Sequence, residues 1–159
     1  MVTISEITLI HAPRERCFDL SRSIDLHTES TARTGEQAIA GVTSGLIGMG
    51  EEVTWRARHL GMWQALTSRI TAFDPPHYFQ DTMVRGAFRS FQHDHFFRKR
   101  EDGLTEMEDV LRFSAPFSLL GRIAEIPLRS YLRRFLRERN RLLKKIAEGE
   151  DWRKYLGGG

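Results

Sequence analysis

Cysteine is almost absent from the chain. Cys17 stands alone, so no disulfide can close within it and no cluster of thiolates can hold a metal. Cysteine usage of this kind suits a reducing compartment, and the cytoplasm is the expected location. Long apolar runs are missing too: nothing approaches the eighteen or so residues that a membrane-spanning helix needs. The opening residues, MVTISEITLI, lack the basic stretch and apolar run of a secretory signal. There is no internal repeat, and low complexity is confined to the terminal Gly157-Gly158-Gly159. Strong net charge is also lacking, at +3 overall. The charge is unevenly placed, however: residues 122–154 hold eleven Lys and Arg against five Asp and Glu. A basic helix can attract nucleic acid or an acidic partner. The preferred reading is a solvated outer face on a helix whose other side is buried, so nucleic acid is not the expected partner.

What remains is ordinary globular material. A chain of 159 residues, 40% hydrophobic and 28% charged, is the size of one domain and can bury a core without staples. Its organising stretch is Ser118 to Glu148. Leu128, Leu132, Phe135, Leu136, Leu142, Leu143 and Ile146 recur there at spacings of three, four and seven, the period of an amphipathic helix. Such a helix would be about 45 Å long at 1.5 Å per residue. Pro127 predicts a kink or a fresh helix start. The apolar stripe needs a surface to cover, and the preceding hundred residues are read as a curved sheet that supplies it.

Thr3 to Ile10 alternates and is rich in β-branched residues, which predicts a strand. Pro13 and Glu15 then open a short helix over Arg14–Leu20, with Cys17, Phe18 and Leu20 on its buried side. Ser23 or Asp25 caps a second short helix through Ile24, Leu26 and His27. Glu36 to Val42 is the next strand. The glycine-dense link 41–50 follows; it lacks the Gly-Lys-Ser/Thr of a phosphate loop and is read as a mobile loop with several positive-φ glycines. Leu46, Ile47 and Met49 are candidates for part of a lid over any cavity beneath it. From residue 51 onward, strands are predicted over 51–59, 63–73, 78–84, 88–99 and 104–114. They are divided at Leu60-Gly61-Met62, Asp74-Pro75-Pro76, Arg85-Gly86 and Arg100–Gly103. The fold class is α+β, ordered strand, two helices, six antiparallel strands, helix. The domain is expected to span 1–148, with 149–159 as a tail.

The last hairpin fixes which face is inside. Pairing residues whose numbers sum to about 204 sets Phe91 opposite Phe113, His93 opposite Leu111, His95 opposite Asp109 and Phe97 opposite Met107. The apolar residues then share one face, which should meet the long helix. His93, His95 and Asp109 share that face, and Phe79 and Asp81 have the same parity on the strand before. The earlier hairpin sets Val53, Trp55 and Ala57 against Ser68, Leu66 and Gln64. Packed cores seldom hold this many polar groups unless these are paired or wetted, so the pattern points to an internal cavity.

The element order, the glycine-rich link and three segments carry a family resemblance. The segments are Gly50-Glu-Glu-Val-Thr-Trp55-Arg-Ala-Arg58, Gln64-Ala-Leu-Thr-Ser-Arg-Ile-Thr-Ala-Phe-Asp-Pro-Pro76 and Phe113-Ser-Ala-Pro-Phe-Ser-Leu-Leu-Gly-Arg122. The chain resembles the START-like, or SRPBCC, superfamily, and within it the stand-alone polyketide cyclase/dehydrase-like branch. That resemblance implies a helix-grip fold, a seven-stranded antiparallel sheet around a long C-terminal helix, with a hydrophobic cavity between them. It implies as partner a small hydrophobic molecule such as a lipid, polyketide or isoprenoid-like compound. The superfamily has no catalytic motif in common, so no catalytic residue carries over.

The candidate ligand-binding residues are Trp55, Gln64, Phe79, Asp81, Phe91, His93, His95, Phe97, Asp109, Phe113 and Tyr131. A buried imidazole–carboxylate pair, His95 with Asp109, is the candidate acid/base should the chain be a cyclase or dehydratase. The preferred reading of these polar groups is a buried network that holds strands together or orients a ligand. His93-x-His95 with Asp81 or Asp109 also presents two imidazoles together, but nothing else in the spacing supports a metal, so no metal and no cofactor is expected. No nucleophile elbow marks a serine hydrolase. Arg56, Arg58 and Arg69 have the opposite parity and are read as solvated.

Overall fold

The computed structural model describes residues 1–59, 61–116 and 118–157, with the side chains of 59 and 118–124 outside that description. Leu60 of the first predicted join therefore lies outside the described residues. Strand β1 (Val2–Ile10) is followed by helices α1 (Arg14–Ser21) and α2 (Ile24–Ser30) and a single 3-10 turn (Ala32–Thr34). Next come β2 (Gln37–Gly41), β3 (Glu52–His59), β4 (Met62–Asp74), β5 (Tyr78–Arg85), β6 (Ser90–Lys99) and β7 (Thr105–Ser114). The long helix α3 (Ser118–Glu148) and a short α4 (Trp152–Leu156) complete the chain. The seven strands form one antiparallel sheet in the order β1-β7-β6-β5-β4-β3-β2.

The β6–β7 register matches the one read from the sequence: Phe91, His93, His95 and Phe97 stand opposite Phe113, Leu111, Asp109 and Met107. Asp81 stands opposite His93 on the other side of β6. The β3–β4 pairing sets Val53, Trp55 and Ala57 against Ser68, Leu66 and Gln64, again as the alternation indicates. The β4–β5 ladder slips at two places, between Thr67 and Ser68 and between Ile70 and Ala72. Bulges of this kind add twist and bend, which helps the sheet curl around its contents.

Helix α3 lies against the concave face, packing on β1, α1 and α2. Leu132, Leu136, Leu143 and Ile146 are buried along it, each contributing about 1.5–3 kcal/mol of apolar burial. The helix runs unbroken through Pro127, so no fresh start occurs there. A proline inside a helix removes one N–H from the ladder and crowds the carbonyl four residues earlier, a local cost that a helix of 31 residues absorbs. Several of its cations are engaged by acidic groups of the protein. Arg133 and Arg137 reach Glu6 of β1 at 3.1 and 2.9 Å, and Glu138 sits between Arg134 and Arg33. The segment after α3 is also held: Trp152, Tyr155 and Leu156 pack on the core, and Arg16 lies over the Trp152 ring.

Helix α1 closes one end of the sheet. Phe18 meets Phe73, Phe79 and Phe97 edge-on at 5.5–5.6 Å. Ser23 caps α2, its hydroxyl accepting from the Leu26 N–H. The 41–50 link is tied down rather than free. The Ile24 N–H donates to the Gly45 carbonyl, the Ile47 N–H to Arg22 and the Gly50 N–H to Ile70. Ile47 is buried beneath it, while Met49 is exposed. At Gly41 the backbone takes φ +75°, and an added Cβ would meet the Glu52 carbonyl oxygen at 2.2 Å, so only glycine fits.

Cys17 is fully buried in α1, and burial pushes its thiol up to about 12. The thiolate is the reactive form. A thiol reagent at pH 8 should therefore leave the native protein unlabelled and modify it only on unfolding. Fast labelling of the folded chain would show that α1 is not seated as described.

Candidate functional site

Between the concave face and α3 lies a cavity of about 190 Å³. β3 and β4 supply Trp55, Gln64, Leu66, Ser68 and Ile70; β5 and β6 supply Phe79, Asp81, Phe91, His93 and His95. Helix α3 covers them with Leu128, Tyr131, Leu132, Phe135, Leu136 and Arg139. Ile47 from the glycine-rich link, His27 with Glu36 from the α2–β2 region and Arg22 between α1 and α2 add to the wall. These positions face inward because strand alternation sends every second side chain to the concave side.

Of the residues singled out from sequence, Trp55, Gln64, Phe79, Asp81, Phe91, His93, His95 and Tyr131 line the cavity. Phe97 and Phe113 do not: each is buried in a core cluster. Asp109 is also behind the wall, with no exposure at all. Its Oδ1 lies 3.0 Å from His93 Nε2 and 2.9 Å from His95 Nδ1. Neither ring N–H points straight along that line, so these are charge contacts more than aligned hydrogen bonds. Asn140 Nδ2 donates to Asp109 Oδ2 at 2.7 Å, and Arg139 Nη1 reaches Oδ1 at 3.4 Å. Arg139 is itself buried and donates to the Asn140 side-chain oxygen and the Ser21 carbonyl. On the cavity side, His95 Nε2 meets Asp81 Oδ2 at 3.0 Å, and the His95 ring stacks on Phe79 at 4.1 Å.

Charge states follow from this packing. Burial works against a charged His95, but its contacts with Asp109 and Asp81 outweigh that and hold its pKa above the usual histidine value. Burial and then the neighbouring His95 hold His93 below it. Asp109 stays well below the ordinary carboxylate range although burial opposes its charge, because His93, His95 and Arg139 surround it. Asp81 is lowered in the same way, by His95 and then His93 against burial. The set presents two fixed carboxylates, one guanidinium and two imidazoles of different basicity, with Asp81, His93 and His95 open to the cavity.

Arg139 and Asn140 were missed in the sequence, as were His27 and Glu36, which face each other at 3.5 Å in the cavity wall. A signal for the first two existed. Arg139 and Asn140 fall three and four residues after Leu136 and four and three before Leu143, inside the apolar stripe. His27 and Glu36 gave no such sign.

No protein-family model matches the sequence, and no match is found among curated proteins. Solved structures do match. The Zhui aromatase/cyclase from Streptomyces sp. R1128 superposes with a TM-score of 0.75 at 12% identity, covering 99% of this chain and 98% of its own. TTHA0849 from Thermus thermophilus gives 0.73 at 13% identity, covering 91% and 95%. The ginseng major latex-like protein 151 from Panax ginseng gives 0.66 at 15% identity, covering 93% and 98%. The shared fold is a helix-grip, seven antiparallel strands around a long C-terminal helix. Among the described residues, this helix-grip chain has no helix long and apolar enough to cross a membrane.

Asp109 compensates Arg139 in a place without water. Asp109→Ala leaves that guanidinium buried and unpaired, which should cost about 3–5 kcal/mol in urea unfolding. A loss below about 1 kcal/mol would mean that the network does not hold sheet and helix together.

Proposed function

We propose that the chain binds one small, largely apolar molecule bearing a polar group, with its apolar body against Trp55, Phe79, Phe91, Leu132 and Leu136 and its polar group toward His93, His95 and Asp81. The supporting observation is the cavity: about 190 Å³, mostly hydrocarbon and aromatic in lining, with Asp81, His93 and His95 clustered on its sheet side and His27 with Glu36 elsewhere in the wall. An apolar cavity of about 150 Å³ already takes benzene, so this volume suits a compact ring system or a short isoprenoid better than an extended acyl chain. Apolar burial supplies affinity, and the few polar groups set orientation. Gln64 and Tyr131 add hydrogen-bonding capacity to the wall. Asp109 and Phe97, set behind it, support the residues that touch ligand.

A second reading has a specific observation in its favour. His95 lies between Asp109 and Asp81, an arrangement that fixes an imidazole for proton transfer at a carbon beside a carbonyl. An aromatase/cyclase is among the proteins that share the fold. In that reading the same cavity holds a polyketide-like substrate for cyclisation or dehydration. The basic-helix reading, in which RNA or an acidic partner docks on α3, is weakened by the engagement of Arg133, Arg134 and Arg137 with Glu6 and Glu138.

Native mass spectrometry of protein purified from cells should show a one-to-one apolar adduct. The adduct should fall at least tenfold in Ser68→Phe, which fills the cavity, while the thermal melt is retained. Absence of any adduct, together with no displaceable binding of an anilinonaphthalene probe, would overturn the proposal. A substrate consumed by the native protein but only bound by His95→Gln would select the enzymatic reading.

A further inference from the structure

Asp81, His93 and His95 come from two neighbouring strands and turn one donor atom each toward the same point of the cavity wall. Asp81 Oδ2 is 3.0 Å from His95 Nε2 and 4.0 Å from His93 Nδ1, and one ligand atom from each residue can be chosen so that all lie within 4.8 Å of one another. The 4.0 Å separation is beyond hydrogen-bonding range. Three atoms bound at about 2.0–2.1 Å to one tetrahedral ion sit about 3.3 Å apart. Small rotations of these side chains reach that spacing, and strand pairing already fixes the three Cα positions.

The nitrogens on the far side of both rings are also engaged. His93 Nε2 and His95 Nδ1 lie against the same oxygen of Asp109. Each imidazole is thereby oriented with one nitrogen on a buried carboxylate and the other toward Asp81. Metal-binding histidines commonly carry a carboxylate behind the ring, and Asp109 supplies that charge to both rings at 2.9–3.0 Å, although neither ring N–H is aligned on it. Asn140 and Arg139 in turn fix Asp109, with the Arg139 charge directed to Asp109, Asn140 and Ser21.

We propose that Asp81, His93 and His95 bind one divalent first-row transition-metal ion, with its remaining positions facing the cavity. Two imidazoles and one carboxylate, without thiolate, suit zinc, cobalt or ferrous iron better than magnesium or calcium, which favour all-oxygen sites. An ion here would give the cavity a Lewis-acidic point toward which a carbonyl or hydroxyl group can turn. The metal site does not depend on the apolar-ligand reading, and its test needs no organic ligand.

The untagged full chain, stripped with chelator and titrated with Co²⁺, should take up one equivalent saturably and develop visible d–d absorption that Zn²⁺ abolishes. Zn²⁺ should raise the melting temperature of the native protein. Asp81→Ala and His93→Gln should each weaken Co²⁺ binding at least tenfold, and Asp109→Asn by about 10–100-fold through loss of ring orientation. If His93→Gln does not fold, Asp81→Ala decides, since that side chain is partly exposed at the cavity wall. Absence of saturable binding would overturn the proposal. So would one-equivalent binding that Asp81→Ala and His93→Gln leave unchanged, which would place the ion on other histidines.

Discussion

The buried charge of Asp109 is the constraint on which the rest of the architecture depends. A carboxylate with no exposure to water has to be compensated within a few ångströms. It is met by His93 and His95 from β6 and by Arg139 and Asn140 from α3, and Arg139 extends the link to the last carbonyl of α1. Those contacts specify how far α3 sits from the sheet and which turn of the helix faces β7. Apolar burial of Leu132, Leu136 and Leu143 would tolerate a slide of the helix; a compensated buried charge does not.

The same constraint shapes the hollow. Because Asp81, His93, His95 and Asp109 are gathered on β5–β7 and met there by α3, much of the wall beside them is aromatic and aliphatic. Phe79 stacks on His95 and joins the Phe18–Phe97 cluster, so the imidazole is packed as firmly as the core around it. Rigid side chains around an open volume describe a preorganised site, where binding need not order the wall first. The glycine-rich link adds to this, since its backbone bonds to α2 and β4 hold Ile47 in place.

Most of the sheet was legible in the sequence because alternation is a strict period of two, and one correct pairing fixes every neighbour. Once Phe91 was set opposite Phe113, His93, His95 and Asp109 had to share the concave face. Depth within that face was less legible: parity cannot distinguish Phe91, which lines the cavity, from Phe97, which is core. Alternation likewise does not separate Asp81 at the wall from Asp109 behind it, because that depends on where α3 presses. The helix was read as an apolar stripe with a charged remainder, and this sent Arg139 and Asn140 to solvent on residue type alone. Their place within the stripe marked them as buried. Pro127 illustrates the converse, a local signal for a fresh helix start that a long helix with tertiary packing runs through.

The hollow itself is tested most directly by diffraction from crystals pressurised with xenon, which enters apolar cavities and avoids polar, hydrated ones. The account predicts a xenon peak between Trp55, Phe91 and Leu132, with His93, His95 and Asp81 at its edge. A solidly packed interior, or a chain of ordered waters along that wall with no xenon, would contradict it.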